Sequence, residues 1–371
     1  FYYNSTGYES VAVGLNAGYM FGRGSHTPHS SVFVGNNSGY YATGSYNTFV
    51  GKDAGKGGTT GTPYSSGVNN VAIGYQAIQD FTTGNDNTAL GYLAAHNFTV
   101  AGHNTALGSE ALASEDVGDF TVAIGYRTGY YQNSDSNNED TGNTLVGTGA
   151  GFYNVTGTNN TLLGRQAGLG VSGQSNSDNV AIGYRALYGV TTGHENTVIG
   201  KEAAYTLTSA DNNVIIGYQT GYSLTTARYN VLIGDSAGYA LSTTSDNNEN
   251  VMIGNSAGRN ADADTNAAHY NVYIGSGAGY YMDDGDSNVY IGREAGKGSG
   301  TGNNATQNIL IGYQAGLAIS TADGIVAIGS QAGTALTTGG GNTAIGFKAG
   351  FSLVDDAYNT FVGFQAGMMT E

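Results

Sequence analysis

The sequence lacks several features that would assign it to a familiar class of protein. It has no cysteine, two prolines, and 12 Lys and Arg against 28 Asp and Glu in 371 residues. The absence of cysteine excludes a disulfide framework and a thiolate metal site. The net charge of −16 disfavours nucleic acids and anionic membranes as partners. Because no apolar run reaches the length of a transmembrane helix, we also expect no membrane insertion.

What the sequence does contain is one short motif that recurs along the whole chain. In residues 342–350 it reads Asn-Thr-Ala-Ile-Gly-Phe-Lys-Ala-Gly, and the first glycine of each copy is called the anchor here. Of the 19 intervals between the 20 anchors, 11 are 17 residues long and the others range from 16 to 23. A fixed period with insertions is typical of proteins whose units stack on one another. The anchors are Gly14, Gly35, Gly51, Gly74, Gly91, Gly108, Gly125, Gly147, Gly164, Gly183, Gly200, Gly217, Gly234, Gly254, Gly275, Gly292, Gly312, Gly329, Gly346 and Gly363.

The residues around the anchor follow a strict pattern. The residue before it is Ile, Val or Leu in every copy, the third residue before it is Val, Thr or Ile, and the residue between these two is always apolar. The fourth residue before the anchor is Asn in 16 copies, and the fourth residue after it is Gly in 15. β-Branched residues around one apolar position predict a short strand, and Asn and Gly favour the turns that bound it.

The length of the repeat indicates the fold. A unit of 17 residues is too short for a strand, a crossover helix and a second strand, so each copy is predicted to form one coil of a stack. We therefore expect an all-β fold, a parallel β-solenoid or β-roll of about 20 coils with a 17-residue basic repeat. Residues 1–371 would form one elongated repeat domain, with an irregular N-terminal part over 1–67 and regular coils over 68–371. Like residues of successive coils would lie about 4.8 Å apart.

Stacking of coils predicts ladders of like side chains. An Asn at the same corner of each coil can hydrogen-bond to the coils above and below, although Asn also favours a turn by itself. The predicted structural ladder consists of Asn87, Asn104, Asn196, Asn213, Asn230 and Asn342, with Ile182, Ile199, Ile216, Ile233 and Ile345 in the strands.

Both faces of the predicted strands are apolar. One face can fill the inside of the coil, and the other needs a cover, because a continuous exposed apolar stripe is an interaction site. We therefore expect a homo-oligomer of parallel chains, most simply a homotrimer. Charges two residues after the anchor have opposite signs on adjacent coils, at Glu110 and Arg127 and at Arg185 and Glu202. Such pairs contribute little energy but help to specify register.

The residues of the repeat also carry a family resemblance. Residues 213–222, Asn-Val-Ile-Ile-Gly-Tyr-Gln-Thr-Gly-Tyr, resemble the head repeats of trimeric autotransporter adhesins and repeats in bacteriophage tail fibres. The resemblance covers nearly the whole chain, although the adhesin heads have a shorter repeat. It implies a parallel β-roll in which three chains pack side by side, and a function in attaching one surface to another.

Aromatic residues recur five residues after the anchor. An exposed row of tyrosines could bind a glycan or a protein surface through its flat amphipathic rings. A stacking ladder or a contact between chains would explain the regular recurrence, and we favour this second interpretation. The residues of this candidate binding surface are Tyr40, Tyr130, Tyr188, Tyr205, Tyr222, Tyr239 and Tyr280.

The sequence predicts no catalytic site and no cofactor. Residues 234–238 and 254–258 match the Gly-x-Ser-x-Gly nucleophile elbow, but both matches arise from repeat glycines without a strand-to-helix turn. The polar inserts contain candidate Ca²⁺ ligands, and two histidines are candidates for another metal; the alternatives are solvated acidic loops and ordinary polar loop residues. These candidates are Asp135, Glu139, Asp140, Asp262, Asp264, His26 and His29.

These observations favour a non-enzymatic attachment fibre, either an adhesin head or a tail-fibre shaft. We expect it to be extracellular, on a cell surface or on a virion. Its partners would be further copies of itself and a cell-surface glycan or protein receptor. The alternative is a structural subunit of an extracellular filament that polymerises end to end through uncapped solenoid ends.

Overall fold

The computed structural model describes residues 6–23, 27–58, 64–136, 139–241, 248–260, 268–300 and 302–368. Within these ranges the chain forms twenty strands of three residues, each of which ends directly before an anchor glycine. The same ranges contain no helix with the length and apolarity needed to cross a membrane. The predicted all-β fold, a parallel β-solenoid with about 17 residues per coil, is confirmed.

The first compact unit is Phe1–Tyr184. Its strands pair in parallel with their neighbours in chain order and in register, so that Thr88 pairs with Thr105 and Leu90 with Leu107. The strands described in this unit are β1 Val11–Val13, β2 Val32–Val34, β3 Thr48–Val50, β4 Val71–Ile73, β5 Thr88–Leu90, β6 Thr105–Leu107, β7 Val122–Ile124, β8 Thr144–Val146, β9 Thr161–Leu163 and β10 Val180–Ile182.

The second compact unit is Arg185–Glu371, and its strands pair in the same way. Val214 pairs with Val231 and Ile216 with Ile233, and the N–H of Gly217 donates to the carbonyl of Ile199 at 2.8 Å. The strands described in this unit are β11 Thr197–Ile199, β12 Val214–Ile216, β13 Val231–Ile233, β14 Val251–Ile253, β15 Val272–Ile274, β16 Val289–Ile291, β17 Ile309–Ile311, β18 Val326–Ile328, β19 Thr343–Ile345 and β20 Thr360–Val362.

The anchor glycine lets the backbones of successive coils touch. Gly275 has φ +135°, and a Cβ atom added to it would lie 2.5 Å from the carbonyl oxygen of Gly292 in the next coil. Only glycine fits a position that combines this backbone conformation with this close approach. The anchor is therefore required by the stacking of coils as well as by the turn that follows the strand.

The middle residue of each strand points into the core, and the two residues that flank it point outward. In β12 the middle residue Ile215 is fully buried, whereas Val214 and Ile216 are half-buried. The same pattern holds for large middle residues such as Phe33, Tyr273 and Tyr290, which are fully buried. The interior of each coil is thus filled by one strand residue and by side chains from the turns that follow.

The middle strand residue shares this interior space with the corner residue, which is the fourth residue after the anchor. A Cβ atom added at the corner Gly168 would lie 2.7 Å from Cδ1 of Leu162, the middle residue of β9. Where the middle residue is alanine, a bulky corner residue can be accommodated. Such pairs are Ala72 with Ile78, Ala106 with Leu112 and Ala181 with Leu187, all fully buried.

The core of the first unit contains a polar section. Glu115 is fully buried at the seventh residue after its anchor, where the second unit has the buried residues Leu207, Leu224 and Leu241. Its Oε1 accepts hydrogen bonds from the backbone N–H groups of the next three residues and from that of Ser134 at 2.8–3.2 Å. Such donors offset the cost of burying a carboxylate.

The next coil continues this polar section, since Gln132 is also buried and donates to Thr121 Oγ1 at 3.1 Å. Burial raises the pKa of Asp116 and of Asp119, and for Asp116 the charge of Glu115 is the next cause.

Candidate docking surface

The first and third residues of the strands, together with the residue that follows the anchor, form the outer face of each unit. Strand residues on this face are apolar or threonine, and none is charged. In the first unit the exposed fraction is 37% for Ile73 and 48% for Leu90, which pair in register. The sequence predicted a second apolar face on the strands, and the structure leaves the residues of this face half-buried or exposed on each unit.

The predicted isoleucine ladder lies on this outer face. Ile182, Ile199, Ile216 and Ile233 are half-buried, and Ile345 is 37% exposed. In the second unit Ile199 pairs in register with Ile216, which pairs with Ile233. These side chains therefore stack along the outside of the coils and do not fill the core.

The residue after the anchor adds aromatic rings and cations to the outer face. Tyr75 and Tyr92 stack with their ring centroids 5.5 Å apart, and Phe347 and Phe364 stack at 5.4 Å. A cation of one coil lies over the ring of the next, as for Lys52 over Tyr75 at 5.3 Å. The signal for this arrangement in the sequence is a basic residue after one anchor and a tyrosine after the next. Similar pairs are Arg165 with Tyr184, Lys201 with Tyr218 and Arg293 with Tyr313.

The asparagines before the strands form a buried ladder of hydrogen bonds. Asn213 Nδ2 donates to Asn196 Oδ1 at 3.0 Å and to the carbonyl of Ala227 at 2.9 Å. Asn213 Oδ1 accepts from both the backbone N–H and Nδ2 of Asn230. Each rung thus joins adjacent coils, which is more than a turn preference requires. The other predicted ladder residues, Asn87, Asn104 and Asn342, are also buried and contact the neighbouring coils through the same atoms.

The tyrosines five residues after the anchor stack on one another. In the second unit Tyr188, Tyr205, Tyr222 and Tyr239 have successive centroid distances of 4.8, 5.0 and 5.2 Å and nearly parallel rings. Burial raises the pKa of Tyr222, and the neighbouring phenols of Tyr205 and Tyr239 raise it further. Because the ring faces cover one another, the surface of this stack offers ring edges and hydroxyl groups to a partner.

The other tyrosines of the candidate binding surface have aromatic or cationic neighbours too. Tyr40 stacks with Tyr19 at 4.6 Å, and Tyr130 stacks with Phe152 at 5.4 Å. Arg259 lies over the ring of Tyr280 at 6.0 Å, and its Nη1 donates to the Tyr280 hydroxyl at 3.0 Å.

The predicted charge pair at Glu110 and Arg127 forms an ion pair between adjacent coils. Arg127 Nε donates to Glu110 Oε2 at 2.7 Å, and this hydrogen bond raises the pKa of Arg127. At the second predicted pair, Arg185 lies over the ring of Tyr188 at 5.2 Å, and Glu202 accepts from Gln219 at 2.9 Å.

The described residues contain no group of three or more His, Cys, Asp or Glu side chains that could hold a metal ion. Of the candidates from the sequence, Asp135 and Asp140 are exposed, and Glu139 is half-buried. The His29 ring stacks on Tyr8 at 5.0 Å, with Tyr46 against its edge. The remaining candidates, His26, Asp262 and Asp264, lie outside the described residues.

Comparison with known proteins does not assign this arrangement to a family. No model of a protein family matches the sequence, and a search of curated proteins found no match.

Proposed function

We propose that this protein is a non-enzymatic attachment fibre that works outside the cell as a parallel homo-oligomer. The observation that carries the proposal is the outer face, where the uncharged strand residues, apolar or threonine, stack in register along the coils of each unit. A long apolar face of this kind favours association with another surface of matching shape. A second copy of the same chain has that shape, because its coils repeat with the same spacing.

The size of the face makes self-association favourable. Full burial of a Val, Leu or Ile side chain contributes roughly 1.5–3 kcal/mol. Strand residues that are still about 40% exposed would therefore each contribute on the order of 1 kcal/mol when covered. In the first unit the apolar strand residues with this exposure or more are Val11, Val13, Ile73, Leu90 and Ile124, so each copy would contribute about 5 kcal/mol, which is comparable with the roughly 4–15 kcal/mol that association costs.

The rest of the molecule suits attachment. Asparagine ladders and in-register strands hold the coils in a fixed order, and the acidic composition limits binding to nucleic acids and anionic membranes. The resemblance to adhesin heads and tail-fibre repeats supports the same function. In an oligomer each surface feature occurs once per chain, so weak contacts with a receptor would act together.

The test combines particle mass with a binding assay on whole cells or immobilised glycans. We expect the wild-type protein to form oligomers of one size that bind a surface. Leu90→Lys places a charge on the outer face and should dissociate the oligomer without unfolding the chain. Val171→Lys is the control, because Val171 has a similar exposed fraction, 44%, but does not lie in a strand.

Two results would contradict the proposal. A wild-type protein that stays a soluble monomer at high concentration would show that the outer face needs no cover. Open-ended polymers without surface binding would favour the alternative of a structural filament subunit.

A further inference from the structure

The turn column, which is the second residue after each anchor, forms a polar ladder on the second unit. Gln219 Nε2 donates to Glu202 Oε2 at 2.9 Å in the first part of this unit. Further along, Gln314 donates to Glu294 at 2.8 Å, and Gln331 donates to Gln314 at 3.3 Å. The ladder fills the surface between the outer face and the tyrosine stack wherever its side chains are long.

Small residues interrupt this ladder over three consecutive coils, where the turn column contains Ser236, Ser256 and Gly277. The missing side chains leave a cleft of about 300 Å³ with Ser256 and Gly277 in its lining. A Cβ atom added to Gly277 would have no contact closer than 3.7 Å, to Cγ of Glu294. The space is therefore not required for the packing of the coils themselves.

The lining of the cleft combines aromatic rings with small polar groups. Tyr280 and Tyr281 both line it, with their rings in a T-shaped contact at 4.5 Å. Asn255, Ser256 and Ser276 add an amide and two hydroxyl groups to the lining. A sugar matches such a lining, because its C–H faces pack on aromatic rings while its hydroxyl groups exchange hydrogen bonds.

Charged residues at one end of the cleft indicate which kind of sugar fits. Arg293 and Lys297 line this end together with Glu294. Glu294 accepts hydrogen bonds from Gln314 and from Lys297, which lower its pKa in that order of size, and Lys297 balances its charge in an ion pair of 3.2 Å. The Arg293 guanidinium is exposed and lies over the Tyr313 ring at 5.8 Å. The cleft is thus locally cationic in a chain with a net charge of −16.

We propose that this cleft binds a carboxylated saccharide, with a sugar ring against Tyr280 and Tyr281 and its carboxylate at Arg293. The inference rests on the proposed attachment function, for which it names the class of receptor. A guanidinium and a carboxylate form strong, directional hydrogen bonds, and Arg293 is the principal anion-binding group. A cleft of this size accommodates one or two sugar rings of a longer chain.

The test measures binding of tri-galacturonic acid by calorimetry, with the galactose trimer of the same linkage as the neutral comparison. Ser256→Gln fills the cleft with the residue that the turn column has at Gln219, Gln314 and Gln331. This change should not disturb the fold, because Ser256 already has φ +56° and Gln331 has φ +59°. Arg293→Gln removes the principal cation. Lys348→Gln is the control, since it changes the net charge equally and Lys348 does not line the cleft.

We expect tri-galacturonic acid to bind more tightly than the neutral trimer, and Ser256→Gln and Arg293→Gln each to weaken binding about five- to tenfold. Lys348→Gln should leave the affinity unchanged. Equal weakening by Lys348→Gln, or no weakening by Ser256→Gln, would overturn the assignment of this cleft. A wild-type protein that binds cells but prefers an acidic peptide or the neutral trimer would overturn the ligand class alone, whereas one that binds no surface would overturn the attachment function itself.

Discussion

The space shared by the middle strand residue and the corner residue predicts that Gly168→Ala destabilises the first unit much more than Gly149→Ala. Gly168 has φ +52° and Gly149 has φ +64°, so an added Cβ costs roughly 1–2 kcal/mol of backbone energy at either position. At Gly149 the nearest atoms to that Cβ would be 3.8 Å away. At Gly168 it would lie 2.7 Å from Leu162 Cδ1 and 2.8 Å from Cδ2. Leu162 must then move, which adds roughly 1–3 kcal/mol.

A paired substitution separates shared space from general sensitivity of this coil. Leu162→Ala alone leaves a cavity and should cost roughly 2–5 kcal/mol. Gly168→Leu alone overpacks the same interior. The double variant has alanine in the strand and leucine at the corner, as Ala106 and Leu112 have in another coil. We therefore expect the loss in free energy of unfolding of the double variant to be smaller, by at least about 2 kcal/mol, than the summed losses of the two single variants.

Urea unfolding followed by circular dichroism gives the free energies of unfolding, and hydrogen exchange of the strand amides in β9 reports on the affected coil itself. Equal costs for Gly168→Ala and Gly149→Ala would show that the contact with Leu162 carries no energy. If the double variant loses as much stability as Leu162→Ala and Gly168→Leu lose together, the two positions do not share one space.

Two further predictions concern the second unit. Asn213→Ala removes two donors and one shared acceptor from the buried ladder. We therefore expect urea unfolding to show a free energy of unfolding that is roughly 2–4 kcal/mol lower. Asn255 is exposed, so Asn255→Ala should lower it by less than about 0.5 kcal/mol. Burial raises the pKa of Tyr273 and of Tyr290 above the ordinary value of 10.0. The folded protein therefore keeps both phenols neutral, and this contribution to stability is fully present below about pH 10 and is lost as the pH rises towards the raised pKa values. Alkaline unfolding should therefore shift to higher pH in Tyr273→Phe, and an unchanged midpoint by circular dichroism would contradict this cause.

The strands and their register could be predicted from the sequence because each coil repeats the same local signals. Val214–Ile216 is a strand that Asn213 precedes and Gly217 follows, as the repeat indicated. The period of the repeat then placed like residues on top of one another. The inward direction of the middle residue was not fixed by the sequence, since both faces are apolar, and it follows from the tight turn after the anchor.

Some backbone conformations had no signal in the sequence. Leu93, Arg185 and Gln219 have φ of +53°, +53° and +49°, a region that such side chains seldom adopt. Backbone hydrogen bonds to the adjacent coil hold Leu93 and Gln219 in this region, as between the Gln219 N–H and the Lys201 carbonyl at 3.0 Å. Stacking thus overrides the local preference of residues in the turn column.

The repeat pattern also did not predict which polar residues are buried. Glu115 looks like a surface acid, because its column lies outside the motif and contains residues of many kinds. It is buried because the chain after it turns three successive N–H groups towards the carboxylate. The preceding coil has the same bend, since the N–H groups of Thr99, Val100 and Ala101 all donate to the carbonyl of Asp116 in the next coil. In the coil of Glu115 the carboxylate takes the place of that carbonyl.

The two candidate sites also differ in whether the sequence predicts them. The apolar outer face was predictable because it belongs to the motif, but the cleft at Ser256 and Gly277 arises where a variable column happens to be small. The stacking of coils requires glycine at the anchor, restricts the middle strand residue to apolar types and favours asparagine before the strand. Residues of the turn column contribute little to the core, and their side chains can change without altering the fold. For the attachment function proposed above, we therefore expect receptor specificity to reside in the turn column and in the residue after the anchor, where a substitution such as Ser256→Gln changes the surface alone.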